Sequence, residues 1–168
     1  QNLTYNNAIV LGSGGASKSV IQGLIDSNSS KITIISRNKN SLNEVVSLFS
    51  NQKEIKGFLS TDAEIESFIK KADLIVNTTP VGMKKTSTEN QLPFGQNFCD
   101  CIKANTIVYD LIYNPSPTAF LKFCEKKGCL TIDGSQMLIA QGAKSLSFWT
   151  DGLEVPFEVM HKALKKYL

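Results

Sequence analysis

The run Asn6-Asn7-Ala8-Ile9-Val10-Leu11 enters Gly12-Ser13-Gly14-Gly15-Ala16-Ser17 without a break. Val20, Ile21, Leu24 and Ile25 then follow at helical spacing. Few folds accept that order. A short, uninterrupted apolar run is the pattern of a strand covered on both faces. Glycine at its end permits a tight turn, and a helix across 15–27 must then lie back over the strand. That is how a β-α-β unit begins.

The alternation continues along the chain. Residues 31–36 are β-branched and strand-like. Residues 40–50 place Leu42, Val45, Val46 and Phe49 on one helical face, and 54–59 form a weaker strand around Ile55 and Phe58. Residues 62–71 predict a short helix with Ile65, Phe68 and Ile69 inward, and 73–78 a buried strand. After a polar loop with Pro93 and Gly95 comes a strand at 106–112. Pro117 is placed in the first turn of a helix bearing Phe120, Leu121 and Phe123. A short strand follows at 129–132, then a helix over 135–148 with Met137, Leu138, Ala140 and Leu146 inward. Trp149 is expected to pack. Pro156 opens a terminal helix with Phe157, Val159, Met160, Ala163 and Leu164. Strands alternating with helices predict an α/β fold: a three-layer, doubly wound, Rossmann-like parallel sheet with helices on both faces. No repeat or internal linker divides the 168 residues, so one domain over 1–168 is expected.

Composition narrows the partners. Apolar residues make up 42% and charged residues 20%, enough to build a core. The 18 basic and 15 acidic residues are interspersed, without the basic face of a nucleic-acid binder. No apolar stretch reaches the length of about 18 residues that a membrane span requires. No secretory leader precedes the first strand, so a cytoplasmic setting is expected. Cys99, Cys101, Cys124 and Cys129 lack the spacing of a zinc site, and the one histidine, His161, is remote from them. Free thiols and no metal are expected.

The glycine loop carries the first chemistry. Gly12 permits the turn, and Gly14 lets the backbone approach a pyrophosphate with no Cβ between. The free N–H groups of the helix from Gly15 then face the anion. Ser17 takes the third small position. Glycines can also merely shape a turn, but the strand–turn–helix context favours dinucleotide binding by Gly12, Ser13, Gly14, Gly15, Ala16 and Ser17. The second strand ends Ser36-Arg37-Asn38-Lys39, with no Asp or Glu from Ser27 to Asn43. An NAD site usually places a carboxylate there, on the ribose 2′-hydroxyl. Its absence removes a repulsion toward a 2′-phosphate. Arg37 offers a planar fork to such a group, and Ser36, Asn38 and Lys39 add donors, so NADP is the expected cofactor.

Five segments together resemble the NADP-binding half of the shikimate dehydrogenase family. They are Gly12 to Ala16, Ser36-Arg37-Asn38, Asn77-Thr78-Thr79-Pro80-Val81-Gly82-Met83, Asp110-Leu111-Ile112-Tyr113-Asn114-Pro115 with Thr118, and Gly134 to Gln141. The resemblance implies reduction of 3-dehydroshikimate to shikimate with NADPH. It implies that Thr79, Leu111, Gly134 and Met137 line the nicotinamide side and that Tyr113 and Gln141 touch the substrate. The chain departs from the family in having Ser-Arg-Asn for Asn-Arg-Thr and Ser41 where a basic residue stands, with Lys39 as the nearby substitute. The family's catalytic Lys and Asp lie in a substrate domain ahead of the glycine loop. Only 11 residues precede Gly12 here, so no catalytic residue is assigned and the chain alone is expected to be inactive.

The remaining polar residues make poor proton donors. His161 reads as a helix-surface residue, Lys84 and Lys85 as solvated loop cations, and Asp110 and Asp133 as strand-end residues that cap or turn the chain. Tyr113 would need a lowered pKa. The terminal helix at about 156–167 is expected to face the absent substrate domain or a second copy of the chain. Two competing functions remain: a quinate or other NADP-dependent dehydrogenase domain, glutamyl-tRNA reductase included, and a dinucleotide-binding module without turnover.

Overall fold

The computed structural model describes residues 4–51, 54–154 and 156–167. Six strands form one parallel sheet in the order β3-β2-β1-β4-β5-β6. They are β1 (Asn7–Leu11), β2 (Lys31–Ser36), β3 (Glu54–Leu59), β4 (Leu74–Asn77), β5 (Ile107–Asp110) and β6 (Leu130–Ile132). The helices are α1 (Gly15–Asp26), α2 (Lys39–Phe49), α3 (Ile65–Ile69), α4 (Gln96–Asp100), α5 (Ala119–Lys126), α6 (Ser135–Trp149) and α7 (Phe157–Tyr167). The strand order reverses between β1 and β4, the switch point at which open α/β sheets leave a crevice beyond their carboxyl ends.

Alternation along β1 sets the layers. Ala8 and Val10 face Ile21 and Leu24 of α1 and Leu42, Val45 and Phe49 of α2. Ile9 and Leu11 face the opposite layer, with Ile69 of α3, Phe98 and Cys99 of α4, and Phe120, Leu121 and Cys124 of α5. The central strands are buried on both sides, which is why their sequences are continuous apolar runs.

Three local expectations need correction. The loop after β4 contains a one-turn helix, α4, held by Phe98 and Cys99 in the core. Its five residues are too few to show periodicity. Helix α5 starts at Ala119, not at Pro117. Thr118 is its N-cap, and the Thr118 hydroxyl accepts from the Leu121 N–H at 3.2 Å. Helix α6 buries Ile139, whereas Ala140 and Leu146 are exposed and Trp149 is 76% exposed. The reason is that α6 pairs with α7 instead of lying along the sheet. Met160 Cε stands 3.0 Å from where a Cβ on Gly142 would be, so glycine lets the two helices close.

Candidate functional site

The site forms where β1, β2, β4 and β5 end. Gly12 has φ +105°, a conformation that favours glycine, and its N–H donates to the Ile35 carbonyl at 2.8 Å. A Cβ on Gly12 would lie 2.8 Å from Thr78 Oγ1, which itself donates to the Leu11 carbonyl. Gly12 is therefore fixed by the protein's own packing. Gly14 and Gly15 are different. Gly14 is the N-cap of α1 with extended backbone, and a Cβ on either residue would meet nothing within 4 Å. No packing inside the protein requires glycine there. The open space over the first turn of α1, with its free N–H groups, fits a pyrophosphate. Ser17 is buried, and its hydroxyl donates to the Gly14 carbonyl at 2.6 Å, which shapes the loop.

Three hydroxyls tie this loop to the second strand. Ser13 Oγ is 2.7 Å from Ser36 Oγ and 2.6 Å from Ser41 Oγ. Asn38 caps α2 by accepting from the Ser41 N–H at 3.1 Å, which leaves its side-chain amide as a free donor. Lys39 begins α2 and is exposed, as is Arg37. Among the described residues neither cation has a carboxylate partner. The Ser41 contact was not legible in the sequence, because no local pattern joins positions 13 and 41.

Three adjoining cavities occupy the crevice. One of about 200 Å³ lies against Gly12, Ser13, Gly14, Ser36, Arg37 and Asn38. A second, of about 480 Å³, is bounded by Arg37, Gln91 and Phe94. The largest, about 560 Å³, is lined by Leu111, Tyr113 and Asn114, with Lys84 and Lys85 at its rim. Thr79 lines all three. The structure thus brings the loop, the Arg37 edge, Thr79, Leu111 and Tyr113 along one cleft. Gly134 is buried behind it, where a Cβ would lie 2.0 Å from the Leu111 carbonyl oxygen. Met137 is half-buried and Gln141 exposed, and neither lines these cavities.

Beneath Thr79 lies a buried polar network. Asn77 and Asp110 end β4 and β5 in register, and both are fully buried. Asp110 accepts from Asn77 Nδ2 at 2.9 Å, the Ile112 N–H at 3.2 Å and the Thr118 hydroxyl at 2.8 Å. Burial pushes the Asp110 carboxyl up to about 6, against the three donors that pull it down. Its expected role as a turn or cap residue understates it, since it joins two strand ends to the start of α5. The available signal was the pair of apolar runs, Leu74-Ile75-Val76 and Ile107-Val108-Tyr109, each ending in a polar residue.

Other reactive groups are held elsewhere. Burial pushes the Cys99 thiol up to about 12 and raises Cys124 and Cys129, so these thiols are not nucleophiles. Asp133 is raised by partial burial, but hydrogen bonds from Ser116 and Ser135 outweigh this and leave it below the ordinary carboxylate value. His161 on α7 stands 3.3 Å from the Gln136 amide of α6, away from the cleft. Among the described residues no three His, Cys, Asp or Glu side chains converge as a metal site, and no helix is long and apolar enough to cross a membrane.

A six-stranded parallel sheet with a glycine loop at its switch point defines the class: a Rossmann-type α/β domain. Comparison with known proteins narrows it further. Residues 1–90 match the model of the shikimate / quinate 5-dehydrogenase family, and residues 134–165 match the shikimate 5′-dehydrogenase C-terminal domain. The chain belongs to the shikimate/quinate 5-dehydrogenase family. It is 70% identical over 167 residues to a shikimate dehydrogenase (NADP(+)) of Prochlorococcus marinus strain MIT 9515, covering 99% of this chain and 59% of that protein. Among solved structures, shikimate 5-dehydrogenase from Listeria monocytogenes, in complex with shikimate and NAD, superposes with TM-score 0.83. The identity is 25%, over 95% of this chain and 55% of the other. Quinate dehydrogenase from Corynebacterium glutamicum, in complex with NAD, gives TM-score 0.81 and 26% identity, over 96% and 55%. The chain therefore spans somewhat more than half the length of the relatives it matches.

Proposed function

We propose that this chain is the NADP-binding half of a cytoplasmic shikimate dehydrogenase, interconverting 3-dehydroshikimate and shikimate. One observation carries the reading: a single cleft runs from the open glycine loop, past an acid-free edge bearing Arg37, to Thr79, Leu111 and Tyr113. NADPH, when bound, supplies the hydride. The first turn of α1 binds the pyrophosphate through its N–H groups. Arg37, with Ser36, Asn38 and Lys39 beside it, holds the 2′-phosphate. Thr79 and Leu111 form the nicotinamide side, with buried Gly134 packed behind Leu111, and Tyr113 meets the substrate; Met137 and Gln141 stand on α6 outside these cavities. The carboxylate found at the second-strand edge of NAD sites has no counterpart here, which favours NADP over an NAD-preferring quinate enzyme.

Among the described residues the titratable side chains lining the cleft are Arg37, Lys84, Lys85 and Tyr113, with no carboxylate or histidine beside them to form an acid–base pair, so the chain is read as supplying cofactor binding and positioning without acid–base catalysis. Helix α7 then faces the substrate half. Phe157 and Val159 are 39% and 61% exposed, and neighbouring Phe148 is 82% exposed. Such a patch is the kind an adjoining domain covers. The test compares the chain alone with the chain joined to the remaining segment of its Prochlorococcus relative. NADPH affinity is read by calorimetry, and turnover by loss of NADPH absorbance with 3-dehydroshikimate. Binding by both proteins and turnover only by the joined one are expected. No NADPH binding by either would overturn the reading.

A further inference from the structure

We infer that Asn77 is a positioning residue that makes Thr79 a hydrogen-bond acceptor toward the cleft, selecting a donor group on the nicotinamide side of the cofactor. The inference rests on the NADP reading and deepens it. It follows from counting hydrogens. Asp110 accepts a hydrogen bond from Asn77 at 2.9 Å, and an ionised carboxylate cannot donate, so the amide nitrogen of Asn77 must face it. At the other end, the Thr79 backbone N–H lies 3.1 Å from the Asn77 side chain and can only donate, so that atom must be the amide oxygen. Both ends fix the same orientation of a side chain that is fully buried.

The Thr79 hydroxyl lies 2.7 Å from that same amide oxygen. The oxygen carries no proton, so the hydroxyl spends its only hydrogen on Asn77. The Val81 N–H, at 3.3 Å, uses one of the two acceptor sites on Thr79 Oγ1. One acceptor site is left and no donor. Thr79 lines all three cavities, at the middle of the cleft. A phosphate oxygen, itself an acceptor, finds no bond there. A ribose hydroxyl or a carboxamide N–H does.

The experiment titrates three ligands by calorimetry: 2′,5′-ADP, 2′-phospho-ADP-ribose and NADP⁺. The proteins are the native chain, Thr79→Val, Thr79→Ser and Asn77→Ala. Thr79→Val removes the acceptor at nearly constant shape. It should weaken NADP⁺ about three- to tenfold, the worth of one neutral hydrogen bond, and leave 2′,5′-ADP unchanged. Thr79→Ser should restore native affinity. Asn77→Ala frees the hydroxyl to rotate and to donate, so it should weaken NADP⁺ selectively but by less than Thr79→Val does, and the Asn77→Ala, Thr79→Val double variant, titrated alongside, should lose no more than Thr79→Val. A loss first seen with 2′-phospho-ADP-ribose identifies a ribose hydroxyl as the donor, and a loss confined to NADP⁺ identifies the carboxamide. Equal loss for all three ligands, or none, overturns the inference, and Thr79→Val alone is decisive should Asn77→Ala not fold. Failure of the native chain to bind any of the three overturns the NADP reading and the inference with it.

Discussion

Gly14→Val separates a glycine kept for a ligand from one kept for the fold. Gly14 has φ −87° and ψ −168°, extended backbone that valine adopts without strain, and a Cβ there has no neighbour within 4 Å. Two small terms affect stability. Valine is a poorer N-cap than glycine, at a cost of about 1 kcal/mol. Removing glycine's freedom from the unfolded chain returns about 0.4–1 kcal/mol. The net change should stay within about 1 kcal/mol, a shift of about 2–4 °C in Tm for a domain of this size. Binding behaves differently. The branched side chain stands where a pyrophosphate must reach the first N–H groups of α1. Losing two charge-assisted hydrogen bonds at about 1.5–3 kcal/mol each weakens NADPH by at least about 150-fold. Gly134→Ala is the counterpart. Its Cβ would lie 2.0 Å from the Leu111 carbonyl oxygen, a backbone atom that cannot swing aside. Overpacking of this kind costs about 1–3 kcal/mol or more, so this variant should melt lower. Calorimetry with NADPH and thermal melts read both effects. A folded Gly14→Val chain with native NADPH affinity would refute the loop assignment.

Arg37→Ala should weaken NADPH about 10- to 150-fold and leave NADH nearly unchanged, since only the former carries the 2′-phosphate; paired titrations check this, and equal losses would count against Arg37 as its reader. The Asp110 carboxyl sits at about 6 in the folded chain, above its unfolded value, so the folded state holds a proton that the unfolded state has released. Stability should therefore fall as pH rises from about 4 to about 6, by up to about 3 kcal/mol, and level off above; denaturant melts of Asp110→Asn should lack that component. Replacing Phe157 and Val159 with serine should reduce self-association of the isolated chain in sedimentation, if a second copy covers that patch in the absence of the substrate half.

The fold was legible because its strands are continuous apolar runs and its longer helices carry regular stripes. The Ala8-to-Leu11 run and the Leu42, Val45, Phe49 stripe both lie in the core as their periodicity requires. What escaped detection lacks periodicity. Helix α4 is a single turn between loops, and α6 looks like a sheet-packing helix while it pairs with α7. The glycine loop and Arg37 were legible because each sits at the end of a readable strand. The Ser13–Ser41 contact and the Asn77–Asp110 link join residues 28 and 33 positions apart, so only the pairing of strands brings them together.

These long-range links give the cleft its rigidity. A site built on loops alone would lose conformational entropy each time it ordered around a ligand. Here the loop bearing Gly14 is tied through Ser13 to the end of β2 and the first turn of α2. The segment bearing Thr79 is tied through Asn77 and Asp110 to β5 and, through Thr118, to the N-cap of α5. The loop and the Thr79 segment are thus each attached to further secondary-structure elements, so that under the proposed reading part of the ordering cost is met on folding rather than on binding. The buried carboxylate is the least replaceable part. It accepts three hydrogen bonds from three separate segments, and an apolar residue in its place would orphan all three donors inside the core. Leaving a buried donor unsatisfied costs about 1–3 kcal/mol. Asp110→Leu should therefore unfold the site, whereas Asp110→Asn, which keeps acceptors for Asn77 and Ile112, should preserve it. Backbone amide exchange at Thr79 and Leu121 would distinguish the two variants.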